Sequence, residues 1–253
     1  MVDIVSGNGV TAIVVSKDLE GLLRFCLDAL QRALSKITST MPHEVVLVDN
    51  ASGVPYLDDL YVARGVVLLR FDTPQSFARV NNLAAARRPN DLYLLLNNDV
   101  LLEEDALVCM LRLLNREPGA GICGSRLIFP DGTIQHCGVV FGPDKEGPYH
   151  CWRGRPAELV PPANGEYQAV TGACMLARRL VWEELGGLDQ SYPFGLEDID
   201  FCLRARQRGW RVMCCNEVAS LHFESLTPGR VELDIPSRRR FMERWGGRYT
   251  VDG

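Results

Sequence analysis

Four groups of side chains combine types that can do chemistry with places where elements end or begin: Asp49-Asn50, Asn98-Asp99, Glu197-Asp198 and His222. Carboxylates set this way can hold a divalent cation or take a proton from a hydroxyl, and an imidazole can add a nitrogen ligand. The clearest case is Asp91 to Leu102, DLYLLLNNDVLL, where an apolar run stops against Asn97, Asn98 and Asp99. Leu92 to Leu96 is too short for a buried helix and reads as a central parallel strand covered on both faces. Parallel sheets bind ligands beyond the carboxyl ends of their strands, so an acid delivered there lies where a cation or a polar ligand would sit. Each group also has a plainer reading. Asp99 could belong to a solvated, capped strand-to-helix loop, and His222 could be a hydrogen-bonded core or surface histidine. Glu197, Asp198 and Asp200 could complement the positive end of a helix whose last turns carry Arg204, Arg206 and Arg208.

The elements that must position these groups follow from periodicity. Thr11 to Val15 is a β-branched run ending at Ser16-Lys17-Asp18, followed by an amphipathic helical pattern through Leu22, Leu23, Cys26, Leu27, Leu30 and Leu34. Glu44 to Val48 repeats the strand and ends at Asp49-Asn50. Gly65 to Phe71 gives a third strand, Ser76 to Arg88 a helix, and Asp91 to Leu96 the fourth strand. This alternation predicts a doubly wound, mostly parallel α/β sheet with right-handed crossovers. After a helix over Glu103 to Asn115 the rhythm changes. Gly121 to Phe129 and Thr133 to Phe141 flank Pro130-Asp131-Gly132, a hairpin signal that predicts an antiparallel extension. Gly142 to Gly165 reads as a long functional loop. Tyr167 to Leu176 reads as a strand, a short helix stops at Gly186-Gly187, and Leu196 to Gln207 is a helix entered through Glu197-Asp198. Arg211 to Cys215 and Val218 to His222 read as two strands, and Ser237 to Trp245 as a final helix. A soft boundary near Asn115 divides residues 1–115 from residues 116–253.

The 253 residues suit one large α/β domain, and 47% hydrophobic with 23% charged residues is an ordinary globular composition. A net charge of −5 argues against nucleic acid as a partner, although the segment from Arg230 onward is locally basic. No apolar run approaches the roughly 18 residues that a membrane span needs, and Met1 to Val10 lacks a secretory signal pattern. The expectation is a cytoplasmic protein, with peripheral association at the inner membrane left open. Nine cysteines without a C-x-x-C pair point to small buried hydrophobes rather than disulfides or zinc. Cys109, Cys123, Cys137 and Cys151 fall at equal intervals, and His136 and His150 each precede a cysteine, but the flanking segments are unlike, so the spacing is taken as coincidence. Among the four histidines there is no G-x-S-x-G setting for a serine nucleophile, and the phosphate loops G-x-x-x-x-G-K-S/T and G-x-G-x-x-G are absent.

Taken in order, the segments TAIVVSKD, VVLVDNASG, FARVNNLAAA, LLLNNDVLL, VTGACMLARR, GGLD, YPFGLEDIDFCLRARQRGWRV and FMERWGG resemble an inverting family 2 glycosyltransferase of the GT-A fold. The last is like that of bacterial rhamnosyltransferase-like members. The resemblance implies that Val15, Ser16, Lys17, Asp49 and Asn50 meet the base and ribose of a nucleotide sugar. Asn82, Asn98 and Asp99 complete the donor site, and Asp99 and His222 hold Mn²⁺ or Mg²⁺. Asp198 is then the general base that deprotonates an acceptor hydroxyl, Glu197 orients the acceptor or the loop, and Asp200 faces structure. Two positions depart from the family pattern: Asn50 and Asn98 stand where acids commonly occur. An Asn50 carbonyl can still accept from the N3–H of uracil or thymine, which leaves UDP-, dTDP- and GDP-sugars open as donors. The implied acceptor is a glycan or a lipid-linked glycan. The thinned acids also suit a non-catalytic nucleotide- or glycan-binding module of a larger transferase. A nucleotidyltransferase is a third option.

Overall fold

Alternation of apolar side chains across two covered faces builds the sheet. In Val10–Ser16 (β1) the side chains of Val10, Ala12 and Val14 enter one core while Ile13 enters the other. The same division separates Val45 and Leu47 from Val46 and Val48 in His43–Asn50 (β2), and Leu94 and Leu96 from Tyr93 and Leu95 in Leu92–Asn97 (β4). A strand apolar on both faces has to be sandwiched between helices. The computed structural model describes residues 9–143, 147–224 and 230–253. Glu20–Ser35 (α1) and Ala106–Arg116 (α4) cover one face; Phe77–Arg87 (α3), Arg179–Leu185 (α5), Glu197–Gln207 (α6) and Arg230–Trp245 (α7) contribute to the core on the other. Asp58–Val62 (α2) is a single short helix between β2 and Val66–Phe71 (β3).

The first half is a parallel array in the order β3-β2-β1-β4. It continues without interruption into the second half. Cys174–Arg178 (β11) pairs antiparallel with β4 and with Ala120–Ile128 (β6), and Arg211–His222 (β12) runs parallel to β6. Gly165–Glu166 (β10) forms the edge against β12. Val100–Leu101 (β5) and Ile134–His136 (β7) attach to β12 and β6. Val139–Phe141 (β8) and Pro148–His150 (β9) make a separate two-stranded sheet. The α/β sheet, largely parallel with an antiparallel extension, is the architecture expected from the periodicity.

Several element boundaries differ from expectation, each for a local reason. Thr133 to Phe141 is not one strand: it breaks at Gly138, whose φ is +116° and whose Cα faces the Tyr167 ring so closely that a Cβ would lie 2.4 Å from it. Of Tyr167 to Leu176 only the end is strand, because side chains capture the earlier backbone donors. Thr171 N donates to His136 Nε2, and Gly172 N donates to Asp198 Oδ2. Conversely, Arg211 to His222 is one strand with a bulge between Cys215 and Ala219, where Asn216 N donates to Asn164 Oδ1. Glu103 to Asp105 precede α4 rather than start it, since Glu103 N donates to Ser220 Oγ and Asp105 N to Glu103 Oε2. The loop from Gly142 to Gly165 contains β9 and a 3-10 turn at Ala157–Leu159, and residues 144–146 of it lie outside the described residues. The final helix starts at Arg230 and carries Pro236 inside it. All nine cysteines are free thiols, and eight of them are buried. Among the described residues no helix is long and apolar enough to cross a membrane.

Candidate active site

The carboxyl ends of β1, β2 and β4 lie side by side, with Ser16 opposite Asp49 and Val15 opposite Asn97. Ser16 knits this edge together: its hydroxyl meets the Tyr56 hydroxyl at 2.7 Å and accepts from Asn98 Nδ2 at 2.9 Å. Val15 and Asn98 are half-buried and Lys17 is exposed. The loops here hold residues in the left-handed region without glycine, at Asp18, Leu19, Ala51 and, entering α6, Leu196. Such conformations are costly for side-chain-bearing residues and persist where the surroundings over-determine them, commonly at ligand sites.

Asp49 and Asn50 hold the loops of this edge. Asp49 is fully buried; Oδ1 accepts from Ser52 N, and Oδ2 pairs with the Arg70 guanidinium from the register position opposite it on β3. Burial pushes the Asp49 carboxyl up, but the Ser52 and Arg70 bonds outweigh it and bring the group below its ordinary value. Asn50 exchanges two bonds with Gln75, Nδ2 to the main-chain oxygen and Oδ1 from the amide, each at 2.9 Å. Asn82 is placed differently from the sequence-based expectation. Both ends of its amide clasp the main chain of Leu188, at 2.8 and 2.9 Å, fixing the Gly186-Gly187 turn instead of joining the donor edge.

Pairing of β5 with β12 places His222 opposite Val100, one residue beyond Asp99. His222 Nε2 is consequently 3.3 Å from Asp99 Oδ1, with Asp99 7% and His222 4% exposed. The contact lacks hydrogen-bond geometry, and Asp99 Oδ1 is a buried oxygen with no hydrogen-bond partner. On the far side of the ring, His222 Nδ1 lies 3.3 Å from Gln135 Oε1. An orphaned carboxylate oxygen next to an imidazole nitrogen suits a shared divalent cation: two ligands at about 2.1 Å and a right angle stand about 3 Å apart. Oxygen and nitrogen donors together also suit Mn²⁺. Among the described residues, no cluster of three or more His, Cys, Asp or Glu side chains is placed to hold a metal ion.

Glu197 and Asp198 begin α6. Asp198 Oδ2 accepts from Gly172 N at 2.6 Å, and Oδ1 accepts from Ile199 N at 2.8 Å. Gly172 lies just before β11, where Ala173 O accepts from Asn97 N and Cys174 faces Leu96, so Asp198 is tied to the same strand end as Asp99. A side chain at 172 would crowd it: a Cβ would stand 3.1 Å from Asp198 Cβ. Glu197 is 5% exposed, and burial, reinforced by the charge of Asp198, pushes its carboxyl up to about 8. Asp200 is fully buried and faces structure, receiving Arg204 Nε at 2.7 Å, Trp245 Nε1 at 2.8 Å and the Tyr192 hydroxyl at 3.3 Å.

His136 and His150 are neighbours, their rings 5.0 Å apart. Gly172, Arg70 and Gln135 are the site residues that motif spacing missed. Only the glycine in VTGAC had a visible signal, because the other two act through strand register.

A family model described as "Glycosyltransferase like family 2" matches residues 154–247. An O-antigen biosynthesis protein, RfbC, from Myxococcus xanthus is 33% identical over 225 residues, which is 85% of this chain and 17% of that protein. An N-acetylglucosaminyl-diphospho-decaprenol L-rhamnosyltransferase from Mycobacterium tuberculosis is 25% identical over 152 residues, 56% of this chain and 50% of that one. The chain thus spans half or less of the length of these relatives. Among solved structures, a mannosyltransferase from Pyrobaculum calidifontis, determined with GDP-Man and Mn²⁺, superposes with a TM-score of 0.62. It is 17% identical, and the match covers 94% of this chain and 62% of that one. Residues 154–247 thus match the family 2 glycosyltransferases, and the sheet order and the superposition show that the chain has a GT-A fold.

Proposed function

We propose that the protein transfers a sugar, with inversion, from a nucleotide diphosphate sugar to an acceptor hydroxyl. The observation that carries this is the pairing of two features at one strand end: a carboxylate, Asp198, aimed by main-chain donors, and the Asp99–His222 pair with its orphaned oxygen. In this reading Val15, Ser16, Lys17, Asp49, Asn50 and Asn98 form the edge that receives base and ribose. Lys17 is the exposed cation of that edge, while Asp49 and Asn50 act by shaping its loops. Asp99 and His222 hold Mn²⁺ or Mg²⁺, which when bound offsets negative charge on the leaving diphosphate. Asp198 takes the proton of the acceptor hydroxyl as it attacks the anomeric carbon. The two main-chain bonds fix the rotamer of Asp198, so orientation is set before the acceptor arrives. Glu197, buried behind it, shapes the turn that presents Asp198.

Residues 1–115 make up the nucleotide-sugar half and residues 116–253 the acceptor half of one domain. Kinship with proteins named for O-antigen biosynthesis and for rhamnosyl transfer to a diphospho-decaprenol carrier supports a glycan or lipid-linked glycan as acceptor.

The test is incubation with UDP-, dTDP- and GDP-sugars, Mn²⁺ and a lipid-linked glycan, with the products read by NMR. Release of a nucleoside diphosphate and a product of inverted anomeric configuration is expected. Release of pyrophosphate, a retained configuration, or no transfer from any donor would contradict the proposal, the last favouring a binding module.

A further inference from the structure

β7 brings two further polar side chains beside the metal-ligand pair, and the reaction as described uses neither. His136 is fully committed: Nδ1 lies 2.9 Å from Ser125 O, and Nε2 accepts from Gly138 N and Thr171 N. Burial holds it well below its ordinary pKa, so it is a neutral structural histidine. Gln135 is different. It is 1% exposed and its carboxamide lies between two imidazoles, Oε1 at 3.3 Å from His222 Nδ1 and Nε2 at 3.1 Å from His150 Nδ1. His150 is itself anchored to the main-chain oxygen of Gln135 at 2.7 Å.

A neutral imidazole carries one N–H, and the partner of one nitrogen decides which nitrogen keeps a lone pair. We propose that Gln135 is the positioning residue that selects the tautomer of His222: its carboxamide oxygen accepts the Nδ1 hydrogen and leaves Nε2, 3.3 Å from Asp99 Oδ1, as an unprotonated ligand for a divalent cation. This rests on the metal-assisted reading given above. The opposite tautomer would carry its hydrogen on Nε2 and leave no lone pair there for a cation. Asp99 Oδ1 has no hydrogen-bond partner, so its lone pairs stay available to a cation shared with Nε2. Partners behind a metal-bound histidine typically change metal affinity 10- to 100-fold when removed.

The experiment is Mn²⁺ titration followed by electron paramagnetic resonance, on the wild-type chain and on Gln135→Leu, Gln135→Glu and His222→Ala. Gln135→Leu keeps the volume but cannot accept, and about a 10- to 100-fold weaker Mn²⁺ affinity is expected. Gln135→Glu can only accept, and affinity at or above the wild-type level is expected. In the ion-free wild type, ¹⁵N imidazole shifts should show His222 protonated at Nδ1 and not at Nε2. Wild-type affinity in Gln135→Leu, a weakened Gln135→Glu, or a His222 protonated at Nε2 would overturn the inference alone. If Gln135→Leu does not fold, the glutamate variant and the nitrogen shifts carry the test. Failure of the wild type to bind Mn²⁺ at millimolar concentration would instead overturn the metal reading on which the inference rests.

Discussion

Glu197 and Asp198 are consecutive carboxyl groups in the first turn of one helix, yet their surroundings assign them different work. Asp198 is half-exposed and receives two main-chain N–H groups, whereas Glu197 is turned inward, where burial and the neighbouring charge favour its neutral form. With Glu197 near 8 in the fold and 4.5 as its ordinary value, the folded chain keeps a proton that the unfolded chain has released between those two pH values. Stability therefore falls as pH rises through that window, at no more than about 1.4 kcal/mol per pH unit from this group. Glu197→Gln stays neutral throughout and should lack that component. Urea denaturation of both proteins at several pH values checks this. Equal pH slopes would show that Glu197 is ionised in the fold. Asp49 and Asp99 were legible as strand-end acids because each closes an apolar run. What those acids and amides bind was not. Asn82 is committed to Leu188, 106 positions away, and Asp49 to an arginine set opposite it by parallel register, and neither partner leaves a local signature.

At the scale of elements, α6 and α7 are locked through Asp200. Its carboxylate gathers Arg204 from its own helix, and Arg244 at 3.1 Å and Trp245 from α7. Because Asp200 is fully buried, its removal leaves Arg204, whose side chain is 12% exposed, without its charge partner. Asp200→Ala should cost about 3–5 kcal/mol, the usual scale for breaking one side of a buried pair, measured by urea denaturation. A loss below 1 kcal/mol would mean that α7 docks through Phe241 and Trp245 packing and its contacts to Asp189 and Phe194. The regular strands and helices of the first half could be read from periodicity, as could the Gly186 stop, where the glycine takes a φ of 69° at the end of α5. The second half was harder for a definite reason. There, long-range side chains take over backbone donors, as His136 and Asp198 do for Thr171 and Gly172, and a segment of strand-like composition is left without a ladder. Asn216 and Glu217 resemble a turn and instead form a bulge inside one long strand, which is how β12 carries His222 as far as Asp99.

Across the whole molecule, one continuous sheet joins the first half of the chain to the second, so the strand ends that carry Asp49, Asp99 and His222 belong to one sheet rather than facing each other across a hinge. The fold class was legible because strand and helix periods alternate over long stretches. The meeting of Asp99 with His222 depended on β5–β12 pairing, which no periodicity encodes. The central claim is that Asp198 is the base at this strand end, and the most direct measurement is sugar transfer by Asp198→Asn alongside its nucleotide binding. The account predicts a loss of about 10²–10⁴ in transfer rate. Binding of the nucleotide in the presence of Mn²⁺, followed as a thermal shift, should remain unchanged. Transfer at the wild-type rate by Asp198→Asn would contradict it.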